Sequence, residues 1–317
     1  MKKLVSLVLA LMLCLSCVSA LAAEAWTVTC PWAPSGVAAM VNQKAASLST
    51  TYSQDYVLVA NAEKGDTATI NSWLTKYTEA DPQMCFIGEG MFGITAILDP
   101  ERMNFTYDDF EYVENLYSSI FVASARKELG ITSIDALKAY LEEGNQIMVG
   151  TNGATGSEAF LAAALIGAMG YGDQFYLIPY ESAAEAAQAV ARGEVDIAVS
   201  HQSQILETWQ QGGVDVFAAF DGEPIAQGPF KGVEGVGQYG YPYFRNRCFI
   251  FAKAGADEQK IADLKALYAQ ILTDEEMVDW LNNTMLLEAD MMTKEEVIAH
   301  IDNVKNIVEE YYDLVAE

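Results

Sequence analysis

"QIMVGTNGATGSEAFLAAALIGAMG" (residues 146–170) changes character twice within 25 residues. "QIMV" is a short apolar run of strand type. "GTNGATGSEAF", residues 150–160, places Gly150, Gly153 and Gly156 three apart and holds no lysine. "LAAALIGAMG" then reads as a helix ended by glycine. The order is strand, glycine-rich turn, helix, with Ser157 placed to cap a helix running through Met169. Such a turn directs backbone N–H groups inward and adds the positive end of the helix dipole, an arrangement suited to a carboxylate or a small oxyanion. It lacks the G-x-x-x-x-G-K-[ST] spacing of a nucleotide P-loop and the G-x-G-x-x-G of a dinucleotide fold.

The same unit recurs upstream. "WTVTC" is strand-like, "PWAPSG" is a turn, and "VAAMVNQKAASLS" is helical, with Ser35 and Gly36 at its start. "YVLVA", the helical "TATINSWLTKY" and the buried-strand run "QMCFIG" follow, ending at Gly88. "FVASARKEL" is a connecting strand, after which "ITSIDALKAYLEEG" (Thr132 and Asp135 in capping-box spacing), "QIMVG", "YLIPY", "SAAEAAQAVARG" and "EVDIAVS" alternate again. Residues 221–243 are glycine-rich loop. "RCFIFAKAG" is a returning strand, and the last helix carries Val297, Ile301, Val304, Val308, Tyr311 and Val315 on one face. Repeated strand–helix alternation predicts an α/β chain with two mostly parallel sheets flanked by helices. Two glycine-rich turns at the carboxyl ends of the two sheets predict a cleft between lobes, with Trp32 against the ligand's carbon skeleton.

"MKKLVSLVLALMLCLSCVSALA" has two lysines, a short apolar core and a small-residue cleavage site. It is too short for a bilayer, which needs about 20 apolar residues, and reads as a signal peptide, residues 1–22. Lipidation at Cys17 is the alternative, giving a cell-surface lipoprotein rather than a free periplasmic protein. Loss of Lys2 and Lys3 leaves the mature chain near −28, which excludes a nucleic-acid partner because phosphate binding needs clustered bases. About 295 mature residues suggest two domains. Cys30, Cys85 and Cys248 fit no metal spacing and are expected on adjoining strands as packing. With only His201 and His300 as histidines, neither a metal site nor a nucleophilic triad is supported, so no cofactor is expected and the chain is read as a non-enzyme.

"LIPYESAAEAAQAVARGEVDIAVS" resembles a V-P-Y segment, an alanine-rich helix, then G-x-V-D and an apolar strand, as found in the extracytoplasmic solute receptors of tripartite tricarboxylate transporters, the Bug receptor family. "PWAPSG" is similar to its first loop, "GTNGATGSEAF" to its second, and "RNRCFIFAKAGAD" to its late strand. The resemblance runs from about Trp26 to the C-terminus. It implies a two-lobed, type II periplasmic-binding-protein fold, with residues 23–124 plus 245–317 as one lobe and 125–244 as the other. It also implies a monomer that closes on a small organic carboxylate and delivers it to membrane permease subunits. By matching positions, the first-lobe contacts would be Trp32, Pro34, Ser35, Gly36 and Val37, with Gly88, Glu89 and Gly90. Those of the second would be Thr151, Asn152, Gly153, Thr155, Gly156 and Ser157, then Tyr180, His201 and Gln202. Arg247 would grip a carboxylate in bidentate fashion. Departures put the ligand in question: Ser35 replaces a glycine and Ala39 an aspartate, and the second loop is one residue longer and lacks a following histidine. Two other readings use the same fold, a ligand-sensing subunit for a signalling kinase and a receptor for a cationic solute caged by Glu89, Glu158 and Trp32.

Overall fold

The computed structural model describes residues 23–315; the expected leader and Cys17 lie outside them. Strands β1 (Glu24–Cys30), β2 (Tyr56–Ala62), β3 (Gln83–Gly88), β4 (Phe110–Ser119), β10 (Asn246–Lys253) and β11 (Glu288–Ala289) form one sheet, in the order β11-β4-β10-β3-β1-β2. The second sheet holds β5 (Phe121–Arg126), β6 (Ile147–Asn152), β7 (Phe175–Tyr180), β8 (Ile197–His201) and β9 (Val214–Ala219), in the order β7-β6-β8-β5-β9. β2, β1 and β3 are parallel, as are β7, β6 and β8. The strand that arrives from the other lobe enters each sheet antiparallel: β10 beside β3 and β4, β5 beside β8 and β9.

The chain crosses between sheets at Ile120. Asn246 pairs with Ser119 in the first sheet while Phe121 pairs with His201 in the second. Residues Phe121–Ser124, expected with the first lobe, therefore belong to the second sheet, where Val122 pairs with Ser200 and Ala219. The ten-residue β4 had no clear alternation because it is buried on both faces, its acid Glu114 included. That carboxylate accepts hydrogen bonds from Tyr112 (3.1 Å) and from the N–H groups of Asn115 (3.0 Å) and Met292 (3.2 Å).

Helices α1 (Val37–Tyr52), α2 (Thr67–Lys76), α3 (Ile134–Glu142), α4 (Ser157–Ala168), α5 (Ala183–Ala191), α6 (Gln202–Gln210), α7 (Glu258–Leu272), α8 (Glu275–Asp279) and α9 (Lys294–Glu310) cover the sheets. α4 is apolar all round and buried along nearly its whole length, as expected of a helix packed on every side. α5 starts where expected, with Ser182 accepting from the Glu185 N–H. α3 starts one residue later than its capping-box spacing suggests, because Ser133 rather than Thr132 accepts from the Ala136 N–H.

The α9 stripe divides between two cores. Val297 and Ile301 join the aromatic cluster of Phe249, Phe251 and Phe92 beside the first sheet. Val304 and Val308 join the core around β6 and α4 of the second. A π-helical turn, Met91–Thr95, lies against the same helix. Among the described residues, no helix is long and apolar enough to cross a membrane.

Candidate functional site

The loops after β1, β3, β6, β7 and β8 leave the carboxyl ends of parallel strands and meet between the sheets around a cleft of about 440 Å³. From the first lobe come Trp32, Gly36 and Val37, then Gly88, Glu89 and Gly90; from the second, Asn152, Gly153, Thr155, Gly156 and Ser157, then Tyr180 and His201. Glycine is favoured at two of these positions. At Gly153, φ is +75°, in the left-handed region, where a side chain is strained. At Gly90, a Cβ would stand 2.7 Å from the Ser157 Oγ of the opposite lobe.

Five expected residues lie elsewhere. Pro34 and Ser35 are exposed, because the turn bends them outward, and α1 is capped by Gly36 with no side-chain bond. Thr151 is fully buried and its hydroxyl donates to the Gly153 carbonyl at 2.8 Å, so it shapes the turn from beneath. Gln202 is buried off the cleft, and Gln204, two residues on, lines it instead. Arg247 pairs with Asp290 at 2.6 Å, with its Nη1 3.1 Å from His300 Nδ1, and lines a separate recess. Side chains alternate along a strand, so Asn246 and Cys248 face the cleft and Arg247 faces away.

Ser157 is the first residue of α4 rather than its cap, which is Gly156. Its hydroxyl reaches across the cleft and donates to Glu89 at 3.1 Å. The Glu89 carboxylate also accepts from the Asn246 amide at 2.9 Å and from the Arg247 N–H at 2.8 Å. Burial raises its pKa, and these hydrogen bonds oppose the shift. Burial pushes Glu158, the next residue of α4, up to about 7, with the charges of Glu89 and Asp66 adding to the effect. Two acids, one from each lobe, thus lie near enough for their charges to interact.

Further features lie at and around the cleft. Lys64 forms an ion pair with Glu181 across its mouth, and Arg102 Nη1 donates to Thr155 Oγ1 at 3.0 Å. Arg102 also faces Asp66 at 3.4 Å and Asp99 at 3.8 Å. Sequence reading missed both bases; their signal was slight, a lone base beside Gly65 and another in a short turn. His201 Nδ1 lies 2.8 Å from Ser119 Oγ, and burial brings its pKa down to about 3, so the imidazole is neutral. Cys30, Cys85 and Cys248 are free and buried on β1, β3 and β10, which are neighbours in the first sheet. Burial pushes the Cys30 thiol up to about 12, so it is no nucleophile at neutral pH.

A family model described as "Tripartite tricarboxylate transporter family receptor" matches residues 54–308. An R. palustris protein solved with adipate superposes with a TM-score of 0.80 at 15% identity, covering 92% of this chain and 96% of that one. MatC from Rhodopseudomonas palustris with bound malate gives 0.76 at 17% identity, with 92% and 98% covered. The periplasmic binding protein BugD gives 0.77 at 16% identity, again with 92% and 98% covered. No curated protein sequence matches the chain. The fold shared with these structures is the two-lobed periplasmic-binding architecture.

Proposed function

The chain belongs to the tripartite tricarboxylate transporter receptor family, whose model spans most of its length, and from that premise we propose that it binds a small organic carboxylate in the interlobe cleft and presents it to membrane permease subunits. The family is one of receptors rather than enzymes. In this reading residues 1–22 are removed on export and the mature monomer works in the periplasm. The lobes that close are residues 23–120 with 246–315, and residues 121–245.

The observation that carries the proposal is the cleft itself. The first turn of α1 opens onto it with Gly36 as its cap and no acid in that turn. Its unpaired N–H groups and dipole favour a carboxylate. A ligand held there and touched by the second lobe stabilises the closed form through its differential affinity, and the permease reads that form.

A thermal-shift screen of the mature protein against di- and tricarboxylates, aromatic acids, amino acids and amines tests this. A ligand at 100 times its dissociation constant stabilises by about 2.7 kcal/mol, a readable shift. A shift with one carboxylate class supports the proposal; shifts with carboxylate-free amines alone overturn it.

A further inference from the structure

The floor of the cleft is richer in acceptors than a plain dicarboxylate requires. Glu89 comes from the turn after β3, Asn246 from β10 and Glu158 from the first turn of α4, so both lobes contribute. Glu89 is fully buried and held through both oxygens, Oε1 by Asn246 and Ser157 and Oε2 by the Arg247 N–H. Asn246 is 7% exposed, and its Oδ1 has no hydrogen-bond partner among the described residues. A buried acceptor left unmatched is costly, which points to a donor on whatever fills the cleft.

The two helix ends also differ. α1 has no acid in its first turn, whereas α4 carries Glu158 there, curled so that a Cβ on Gly156 would stand 3.5 Å from its Oε2. The α4 N-terminus therefore already faces a carboxyl group of its own chain. Lys64 and Arg102 are both paired with acids at the mouth. A second ligand carboxylate at the floor would meet two acids and no unpaired base.

We propose that the ligand is an amino-carboxylate whose protonated amine seats among Glu89, Glu158 and the Asn246 amide oxygen, while its carboxylate lies at the start of α1. This rests on the carboxylate reading above and adds the ligand's second group. An ammonium offers three donors; Glu158 and the Asn246 amide oxygen can accept from it, and the buried Glu89, already held by protein donors, adds an opposite charge. Burial holds the Glu158 pKa near 7, and an adjacent ammonium favours its ionised form.

Isothermal titration of the mature protein tests this with sets matched for chain length: amino-carboxylates (the common α-amino acids and ω-amino acids), their deaminated acids, dicarboxylates and diamines. An amino-carboxylate is expected to bind at least about tenfold more tightly than its deaminated or dicarboxylate counterpart. Glu158→Gln should remove most of that advantage while keeping a cooperative melting transition and the affinity for the deaminated acid. A dicarboxylate or deaminated acid binding as tightly as the amino-carboxylate overturns the proposal and leaves the carboxylate reading standing. Binding of diamines with no carboxylate overturns both. Absence of binding by every amino-carboxylate at millimolar concentration overturns the proposal, as does wild-type affinity for the amino-carboxylate in both E158Q and E89Q.

Discussion

Gly90 and Ser157 belong to opposite lobes, yet the space for a methyl group on Gly90 ends 2.7 Å from the Ser157 hydroxyl. Gly90→Ala should therefore hold the lobes apart rather than unfold either of them. The expected result is weaker binding by about tenfold or more, since interface overpacking typically costs 1–3 kcal/mol. Small-angle scattering should then show a ligand-saturated variant as extended as the ligand-free wild type; normal compaction on ligand addition would count against this closure geometry. Arg247 illustrates the opposite case: it lies on the expected strand, with its side chain on the face away from the cleft. Its guanidinium binds Asp290 in a partly buried pair. Arg247→Ala should lower stability by about 1–2 kcal/mol, between the values for exposed and buried pairs. Ligand affinity measured by calorimetry should change little, and a large loss would return Arg247 to the ligand.

At the scale of elements, the start of α4 shows how one residue alters a role. As a cap, the Ser157 hydroxyl would have turned back onto its own helix; as the first helical residue it points across the cleft to Glu89. A second element-scale consequence concerns α9, which lies along both cores. Its packing on the π-helical turn is tight enough that a Cβ on Gly93 would come within 2.5 Å of Val304 Cγ1. Gly93→Ala should lower the unfolding free energy by about 1–3 kcal/mol, as overpacked sites do. Chemical denaturation would measure it, and an unchanged midpoint would show that the helix shifts freely. Exposed-face changes such as Ile298→Ser, at a residue 40% exposed, should stay within about 0.5 kcal/mol.

The whole molecule is strongly acidic, at −26 over its full sequence, and the cleft holds Glu89 of one lobe near enough to Glu158 of the other for their charges to interact. The Glu158 pKa is raised from 4.5 to about 7 in the folded protein. Between those values the folded state binds the proton that the unfolded state has lost, so this group's contribution to stability falls as pH rises through that window. The groups acting on Glu158 include Glu89 and Asp66, which raise its pKa, and Asn152, which lowers it. The melting temperature of wild type relative to E158Q should therefore decline from about pH 4.5 to about pH 7 and level off above it. Parallel profiles for the two proteins would mean that Glu158 is solvated in the ligand-free state.

Alternating strands and helices, the glycine turns and the cleft at the strand ends were all legible in the chain, because each depends on patterns a few residues long. Periodicity assigns helices and strands, and glycine spacing marks where backbone must approach a ligand. Most cleft residues flank those turns for the same reason. Which face Arg247 takes, the partner of Ser157 and the meeting of Glu89 with Glu158 were not legible. Each depends on strand register or on lobe juxtaposition across long sequence separations, 68 residues between Ser157 and Glu89 and 157 between Asn246 and Glu89. The crossing at Ile120 and the double packing of α9 are of the same kind. Local pattern thus determined two α/β lobes with a cleft between them, and only tertiary packing decided which charges line its floor, because contacts between distant segments are set by how the sheets and helices pack together.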